Sequence, residues 1–363
     1  MNIRRIRVGI IGVHPEKGWA TTAHIPALRQ LPQFCLSAIS HHQRDAAKAA
    51  AEVHGALRYF DSAQELIHHR DVDLVVVAVK VTRHKDIVLS ALQAGKAVLC
   101  EWPLGMNLPD AVAMRDCARA MRVTTAVGLQ TRATPVFAFL QELVGEGYVG
   151  DVLSVSMIGS GIVWGATLPE SFIYTLDRAN GAAMHNVAFA HSIDGLLHAL
   201  DTRFESVAGT LANRRTRIRI EETGVELPLM VPDQAVAVGR LANGAVMTSH
   251  FRGGLSRGTN FHVEVNGTKG DLVVSSPVGY VGIGGFVIKG ARQGETMHEL
   301  QVPPHYGADR FEEGPSQGVA MAYERIAADM RSGTKLSATF DEAVELHNLI
   351  AAIERSEGTV VRL

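Results

Sequence analysis

Residues 73–81 read Asp-Leu-Val-Val-Val-Ala-Val-Lys-Val, with five β-branched residues around Leu74 and Ala78. A strand of this kind is apolar on both faces and belongs in a parallel sheet covered by helices on both sides. The rest of the first third repeats the theme. Ile6 to Ile11, Leu36 to Ser40, Ala97 to Cys100 and Val123 to Val127 read as further buried strands. Thr21 to Leu31, Asp45 to His54, Ile87 to Ala94 and the stretch opened by Asn107 and Pro109 read as the helices between them, with Gly55 and Gly95 as stops. Ser62-x-x-Glu65 is a capping box for one more short helix. Strand–helix units of this length require right-handed crossovers, so the fold class is α/β with a doubly wound parallel sheet. Such sheets bind ligands at the carboxyl ends of their strands.

From about Thr134 the pattern changes. Pro135 to Glu146 is one amphipathic helix. Strand-like stretches follow at Val152 to Ile158, Glu205 to Leu211, Gln234 to Leu241, Val246 to Phe251, Phe261 to Asn266 and Asp271 to Ser275. Turns such as Asn243-Gly244 and Asn266-Gly267 separate them. This predicts an α+β domain with a mostly antiparallel open sheet. Thr339-x-x-Glu342 opens a final helix whose apolar side carries Leu346, Leu349, Ile350 and Ile353. A chain of 363 residues fits two domains, expected at 1–131 and 132–363.

Composition narrows the function. A formal net charge of −2 gives no global field toward nucleic acid or anionic lipid. The basic stretch Arg214 to Arg219 alternates and is balanced by Glu221 and Glu222, the pattern of an exposed strand face rather than a nucleic-acid surface. Cys35, Cys100 and Cys117 are widely spaced, so reduced thiols are expected. The adjacent pairs His41-His42 and His68-His69 lack the i, i+4 spacing that places two imidazoles on one helix face, and no metal is expected. No run is long enough to span a membrane. The apolar stretch after Arg4 and Arg5 is too short for a signal peptide, so a cytoplasmic protein is expected.

The turn after the first strand reads Gly12-Val13-His14-Pro15-Glu16-Lys17-Gly18-Trp19. In a G-x-G-x-x-G dinucleotide fingerprint, Gly12 holds the first position, His14 occupies the second and Gly18 comes one residue late. The turn still follows a buried strand and precedes a helix whose N-terminus can hold phosphate. This is the Rossmann arrangement for a nicotinamide dinucleotide. An NAD enzyme commonly has Asp or Glu at the end of strand two. Here Ser40-His41-His42-Gln43-Arg44 offers no acid, and Arg44 and the histidines suit a 2′-phosphate, so NADP is favoured over NAD. Otherwise these are solvated loop residues.

Gly12, Ala78 to His84, Ala94-Gly95-Lys96, Cys100-Glu101-Trp102-Pro103, Gly150-Asp151, Gly181 with His191 to Asp194, and Asn266 to Gly270 follow one family in order and spacing. The chain resembles the glucose–fructose oxidoreductase/inositol dehydrogenase (Gfo/Idh/MocA) family over nearly its whole length. Within it, Lys17-Gly18-Trp19, Val79-Lys80-Val81, Glu101-Trp102 and Gly267 to Asp271 resemble the branch containing the fungal repressor of galactose metabolism and its bacterial relatives. The resemblance implies a Rossmann domain followed by an α+β domain, and a homo-oligomer, dimer or tetramer, built through the C-terminal sheet. It implies a sugar, cyclitol or related polyol as substrate. It also marks Gly12, Val13, Gly18, Trp19, Ala20, Ser40, His41, Arg44, Val79, Lys80, Val81, His84, Glu101, Trp102 and Gln130 as cofactor-binding.

Two departures bear on catalysis. Family enzymes usually carry Glu-Lys-Pro where this chain has Glu101-Trp102-Pro103, and indole cannot titrate as lysine does. The Asp expected four residues before the family histidine is Val187 here, and Phe189 replaces a glycine. His191 survives as the first candidate acid or base; spacing alone would make it a core histidine. Tyr174 can relay a proton or be a packed aromatic with a wet hydroxyl. Lys80 can replace the missing lysine or contact phosphate. Trp19 and Trp102 flank the dinucleotide or pack apolar neighbours, and Trp164 is a platform for a sugar face or a loop anchor. Two functions stay open: an NAD(P)-dependent oxidoreductase acting on CH–OH groups, or a dinucleotide-binding regulator without turnover.

Overall fold

The computed structural model describes residues 4–280, 285–307, 310, 311 and 313–363. It divides into two compact units, Met1–Gln130 with Phe311–Glu345, and Thr131–Arg310 with Leu346–Leu363. The structural break at Gln130 lies beside the one expected from sequence. A division at residue 131 does not contain the return of Phe311–Glu345 to the first unit.

The first unit alternates strand and helix: β1 (Ile6–Ile11), α1 (Ile25–Arg29), β2 (Phe34–Ser40), α2 (Arg44–His54), β3 (Arg58–Phe60), α3 (Ala63–His68), β4 (Leu74–Val77), α4 (His84–Gln93), β5 (Ala97–Glu101), α5 (Leu108–Met121) and β6 (Thr125–Gly128). The six strands are parallel in the order β3-β2-β1-β4-β5-β6. The chain order reverses between β1 and β4, which is where such sheets open a ligand crevice. All four residues of β4 are buried, as a strand covered on both faces must be. The strand is shorter than the apolar run predicts, because the chain bends at Val79, after Ala78 N has bonded Ile11 O, and enters a 3-10 turn at Val81.

Local chemistry sets the helix ends. Gly55 takes a left-handed conformation (φ 76°), and its N–H reaches Ala51 O. Asn107 Oδ1 accepts from Asp110 N at 2.9 Å and opens α5, with Pro109 in the first turn. Ser62 caps α3 through Gln64 N. The helix Pro315–Ser332 belongs to this unit as well. Its Val319, Tyr323 and Ile326 join Val8, Ile10, Leu74 and Leu99 in one buried cluster.

The second unit begins with α6 (Pro135–Gly145). β7 (Val152–Ser160), β8 (Thr167–Leu168), α7 (Ala190–Ala199), β9 (Phe204–Ala212), β10 (Arg217–Ile220), β11 (Glu226–Pro228), β12 (Gln234–Leu241), β13 (Val246–Arg252), β14 (Phe261–Gly267), β15 (Gly270–Ser276), β16 (Val287–Arg292), β17 (His298–Glu299) and β18 (Val361–Arg362) follow. Nine strands form one sheet, β17-β16-β15-β14-β7-β13-β12-β9-β18. It is antiparallel except at β7–β13. A small sheet, β11-β10-β8, holds the alternating arginines, with Ile218 and Ile220 inward and Arg217 and Arg219 outward.

The large sheet has one packed and one open face. Along β13, Met247, Ser249 and Phe251 are buried while Val246, Thr248 and His250 are exposed. Gly159 on β7 lies under the Phe251 ring, where a Cβ would stand 2.0 Å from Cζ. The Phe251 ring meets Phe189 edge-on at 5.5 Å. The predicted Thr339 capping box is formed reciprocally: Glu342 N donates to Thr339 Oγ1, and Thr339 N donates to Glu342 Oε2.

Candidate functional site

In the first unit the turn after β1 is shaped by Gly12. Its φ of +100° disfavours any side chain, and a Cβ would meet Ala78 O at 2.6 Å and Val79 Cγ1 at 2.7 Å. Gly12 N and Val13 N both donate to Ser40 O, which ties the ends of β1 and β2 together. The chain then enters a π turn, Ala20–His24, before α1. Thr21 N and Thr22 N donate to Gly18 O, the second an i to i−4 bond, so the helical path expected from sequence starts here and passes through the π turn into α1. Gly18 (φ +95°) has no heavy atom within 4 Å of where its Cβ would stand.

Two buried polar atoms beside this turn and after β6 are informative. Trp19 Nε1 and Gln130 Oε1 are two of nine buried side-chain nitrogen and oxygen atoms that have no hydrogen-bond partner among the described residues. Leaving a buried donor or acceptor unsatisfied is costly, so each such atom calls for a partner, which a ligand or an ordered water supplies. Trp19 offers a donor and Gln130 an acceptor. Together with the glycine turn they fit a dinucleotide.

At the end of β2, Ser40 is buried and His41 is half-buried. His41 Nδ1 accepts from Gln43 N. Its ring lies 6.0 Å from that of His14 and 4.3 Å from that of His42. Burial, reinforced by repulsion from these neighbours, lowers the His41 pKa. Arg44 is exposed, lies 5.8 Å from the Tyr59 ring centroid and pairs with Asp61 at 3.2 Å. The sequence expectation had no acid here. Asp61 arrives from the turn after β3.

Beyond β4, Val79 is half-buried, Val81 is buried and Lys80 is exposed at the start of a short 3-10 turn. His84, expected among the cofactor residues, is instead buried between backbone oxygens. Its Nδ1 lies 2.9 Å from Pro103 O and its Nε2 2.9 Å from Val79 O. Burial lowers its pKa against the pull of those carbonyls. His84 therefore staples the end of β4 to the segment carrying Trp102, which is buried and precedes a cis proline.

The end of β5 joins Glu101, expected among the cofactor residues, to two partners that sequence reasoning missed. Glu101 Oε1 accepts from His24 Nε2 at 3.0 Å, and His24 Nδ1 lies 2.9 Å from the Tyr323 hydroxyl. His24 and Tyr323 are both fully buried. Burial, reinforced by Glu101, pushes the Tyr323 phenol well up. The one signal available was a lone histidine inside the apolar stretch Ala23 to Leu28.

In the second unit His191 is buried on α7. One turn further, Asp194 pairs with Arg132 in a two-pronged contact of 2.8 and 2.6 Å, with side chains 4% and 9% exposed. Planar guanidinium matches carboxylate in this way, so the pair fixes the rotation of α7. Gly195 is wedged against Thr131, where a Cβ would stand 2.0 Å from Cγ2. Tyr174 is half-buried in the 3-10 stretch Glu170–Leu176, and burial raises its pKa. Tyr280 is close enough to Tyr174 to feel its charge, and burial pushes its own phenol up to about 12. Trp164 is the loop anchor of its two readings: the indole is 1% exposed and donates to Thr175 Oγ1 at 2.9 Å. Val187 lies in the π turn His185–Phe189.

Among the described residues no group of three or more His, Cys, Asp or Glu is arranged to hold a metal ion. No helix among them is long and apolar enough to cross a membrane.

Known proteins match this architecture. Residues 6–129 match the family described as an oxidoreductase family with an NAD-binding Rossmann fold (Gfo/Idh/MocA). Residues 135–276 match the C-terminal domain of Gal80p. The galactose/lactose metabolism regulatory protein GAL80 of Saccharomyces cerevisiae is 29% identical over 307 residues, covering 79% of this chain and 70% of that protein. A super-repressor mutant of Gal80p from the same organism superposes with a TM-score of 0.90 at 25% identity, over 99% of this chain and 98% of that one. A levoglucosan dehydrogenase solved with NADH and levoglucosan shares the fold, with a TM-score of 0.85, 21% identity and 99% coverage of both chains. The first unit is thus similar to the NAD-binding Rossmann domain of the Gfo/Idh/MocA oxidoreductase family, and the segment after it to the C-terminal domain of Gal80p.

Proposed function

We propose that the protein is an NAD(P)-dependent oxidoreductase that acts on the carbinol carbon of a sugar, cyclitol or related polyol. The observation that carries the dinucleotide part is the pair of orphaned buried atoms, Trp19 Nε1 and Gln130 Oε1, at the strand ends of a sheet ordered β3-β2-β1-β4-β5-β6. When bound, the nicotinamide group accepts or gives a hydride at C4. The chain's own residues do the rest. Gly12 brings the first turn against β4, and Trp19 and Gln130 supply a donor and an acceptor to the cofactor. Trp102, buried and unable to titrate, helps exclude water but cannot move the hydroxyl proton. That task falls to His191, whose helix is held by Arg132 and Asp194, then to Tyr174 or Lys80.

NADP is the preferred cofactor in this reading, with His41 and Arg44 at the end of β2 facing the 2′-phosphate. Asp61 must release Arg44 for this to hold. The exposed Val236, Val238 and Val246 on the open sheet face support self-association through that sheet. Light scattering of the purified protein tests this: a monomer at micromolar concentration removes it.

Trp102 favours a second reading, a dinucleotide-binding regulator without turnover, and the similarity to GAL80 supports it. One experiment separates the two. Protein is incubated with NAD or NADP and a panel of sugars and polyols, and the absorbance of reduced cofactor is followed. Turnover of any panel member that His191→Ala abolishes supports the enzyme. Tight cofactor binding with no turnover in either direction supports the regulator.

A further inference from the structure

Three imidazoles meet where the ends of β1 and β2 are tied together. Gly12 N and Val13 N both bond Ser40 O, which brings the next residues, His14 and His41, edge to face with ring centroids 6.0 Å apart. His42 lies against His41 at 4.3 Å. His14 and His41 are half-buried and His42 is exposed. The backbone fixes the tautomer of two of them: His14 Nδ1 accepts from Glu16 N at 3.1 Å, and His41 Nδ1 from Gln43 N at 3.2 Å. A ring nitrogen that accepts carries no proton, so each neutral ring keeps its proton at Nε2 and offers it there as a donor. The surrounding charges leave the rings uncompensated. Asp61, brought to this corner by β3, is taken by Arg44, and Arg44 lies over Tyr59. From α2, His54 lies against the backbone of His14 and Pro15, with Arg29 of α1 near it. Glu16 and Lys17 in the same turn and Asp45 at the start of α2 are exposed. Among the described residues, no carboxylate pairs with any of the three rings. Burial disfavours the charged form of His41, and His42 and His14 add repulsion. An anion among the rings relieves that repulsion.

We propose that His14, His41 and His42 form a titrating cradle for the 2′-phosphate, so that the choice between NADP and NAD depends on pH. Binding of the phosphorylated cofactor draws protons onto the rings, and the preference for it grows between about pH 8.5 and about pH 6.5 as the pH falls. The sign follows from linkage. A phosphate that stabilises the protonated rings makes the complex bind more protons than the free protein, so affinity rises as protons are added. The phosphate takes its own second proton only near about pH 6, so it stays mostly a dianion over this range. Arg44 is charged throughout and adds attraction without pH dependence. The inference rests on the NADP reading above and adds to it His14, His42 and the protons; it holds for an enzyme and for a regulator alike.

The test is calorimetric titration with NADPH and NADH at about pH 6.5 and about pH 8.5, each in two buffers of different ionisation enthalpy, which together count the protons taken up. NADPH should bind roughly five- to tenfold more tightly at the lower pH, with a net uptake of about half a proton. NADH should change by less than about twofold. His14→Gln and His41→Gln keep an N–H donor but do not titrate. Each should flatten the NADPH dependence and lower the proton uptake, while NADH affinity stays within about twofold of wild type. His42→Gln, at an exposed position, carries the test if either of the others does not fold. A preference for NADPH that is equal at both pH values, with no proton uptake, overturns the inference and leaves the NADP reading standing on Arg44. NADH that gains as much as NADPH assigns the protons to a part shared by both cofactors and overturns it as well. Binding of both cofactors with no preference for NADPH at either pH removes the inference and the NADP reading together. Protein that binds neither cofactor removes the dinucleotide reading with them.

Discussion

Breaking the Arg132–Asp194 pair should damage the second unit more than any single surface change. The two side chains are 9% and 4% exposed and meet at 2.8 and 2.6 Å. Arg132→Met takes from the buried Asp194 carboxylate the guanidinium that pairs with it. Removing one partner of a buried pair typically costs about 3–5 kcal/mol, mostly the penalty of the orphaned charge. For a unit of about two hundred residues, each kcal/mol moves the melting midpoint by about 2–4 °C, so a fall of roughly 6–20 °C is expected. Differential scanning calorimetry measures it directly. Arg132→Met/Asp194→Leu, which removes both charges, should recover most of the loss. A single-variant cost below about 1 kcal/mol would refute the reasoning, as would a double variant that costs the sum of the two singles.

Other outcomes follow from the same geometry. Gly12→Ala, strained at φ +100° and 2.6 Å from Ala78 O, should abolish detectable dinucleotide binding while the second unit melts unchanged. Asp329 bears on acid stability. Burial would raise its pKa, but donors from Leu336, Ser337 and Thr334 hold it below the usual carboxylate value. Its contribution is therefore complete above about pH 4 and is lost as pH falls through the lower folded-state pKa. Asp329→Asn should flatten that acid limb in urea midpoints; an unchanged limb removes the argument. Arg44→Ala should weaken NADP binding by roughly tenfold and leave NAD nearly unaffected, whereas equal affinity of the wild type for both cofactors ends the NADP preference.

Features carried by local periodicity or capping chemistry were legible in the sequence. The strands of the first unit other than β3, β12 with its alternating valines, and the Thr339–Glu342 box all follow from neighbours within a few residues. What was not legible depends on distant partners. The helix Pro315–Ser332 is amphipathic, but nothing in its sequence says that Tyr323 and Ile326 complete the first unit's core. His24 meets partners 77 and 299 residues away. Asp61 reaches Arg44 from across the adjacent strand end, so an acid absent from the β2 turn is present in space. The β4 run misled in length because the same β-branched residues that fill a strand also pack the turn against Gly12. His84 lay at a strand end, where ligands are expected, yet its environment holds it for the backbone.

The central claim is that this chain binds a nicotinamide dinucleotide at the strand ends of its first unit. Titration calorimetry of the purified protein with NADPH and NADH tests it most directly. The account predicts saturable binding at one site per chain, abolished by Gly12→Ala. No heat and no competition by either dinucleotide at millimolar concentration, with the protein folded, would contradict it.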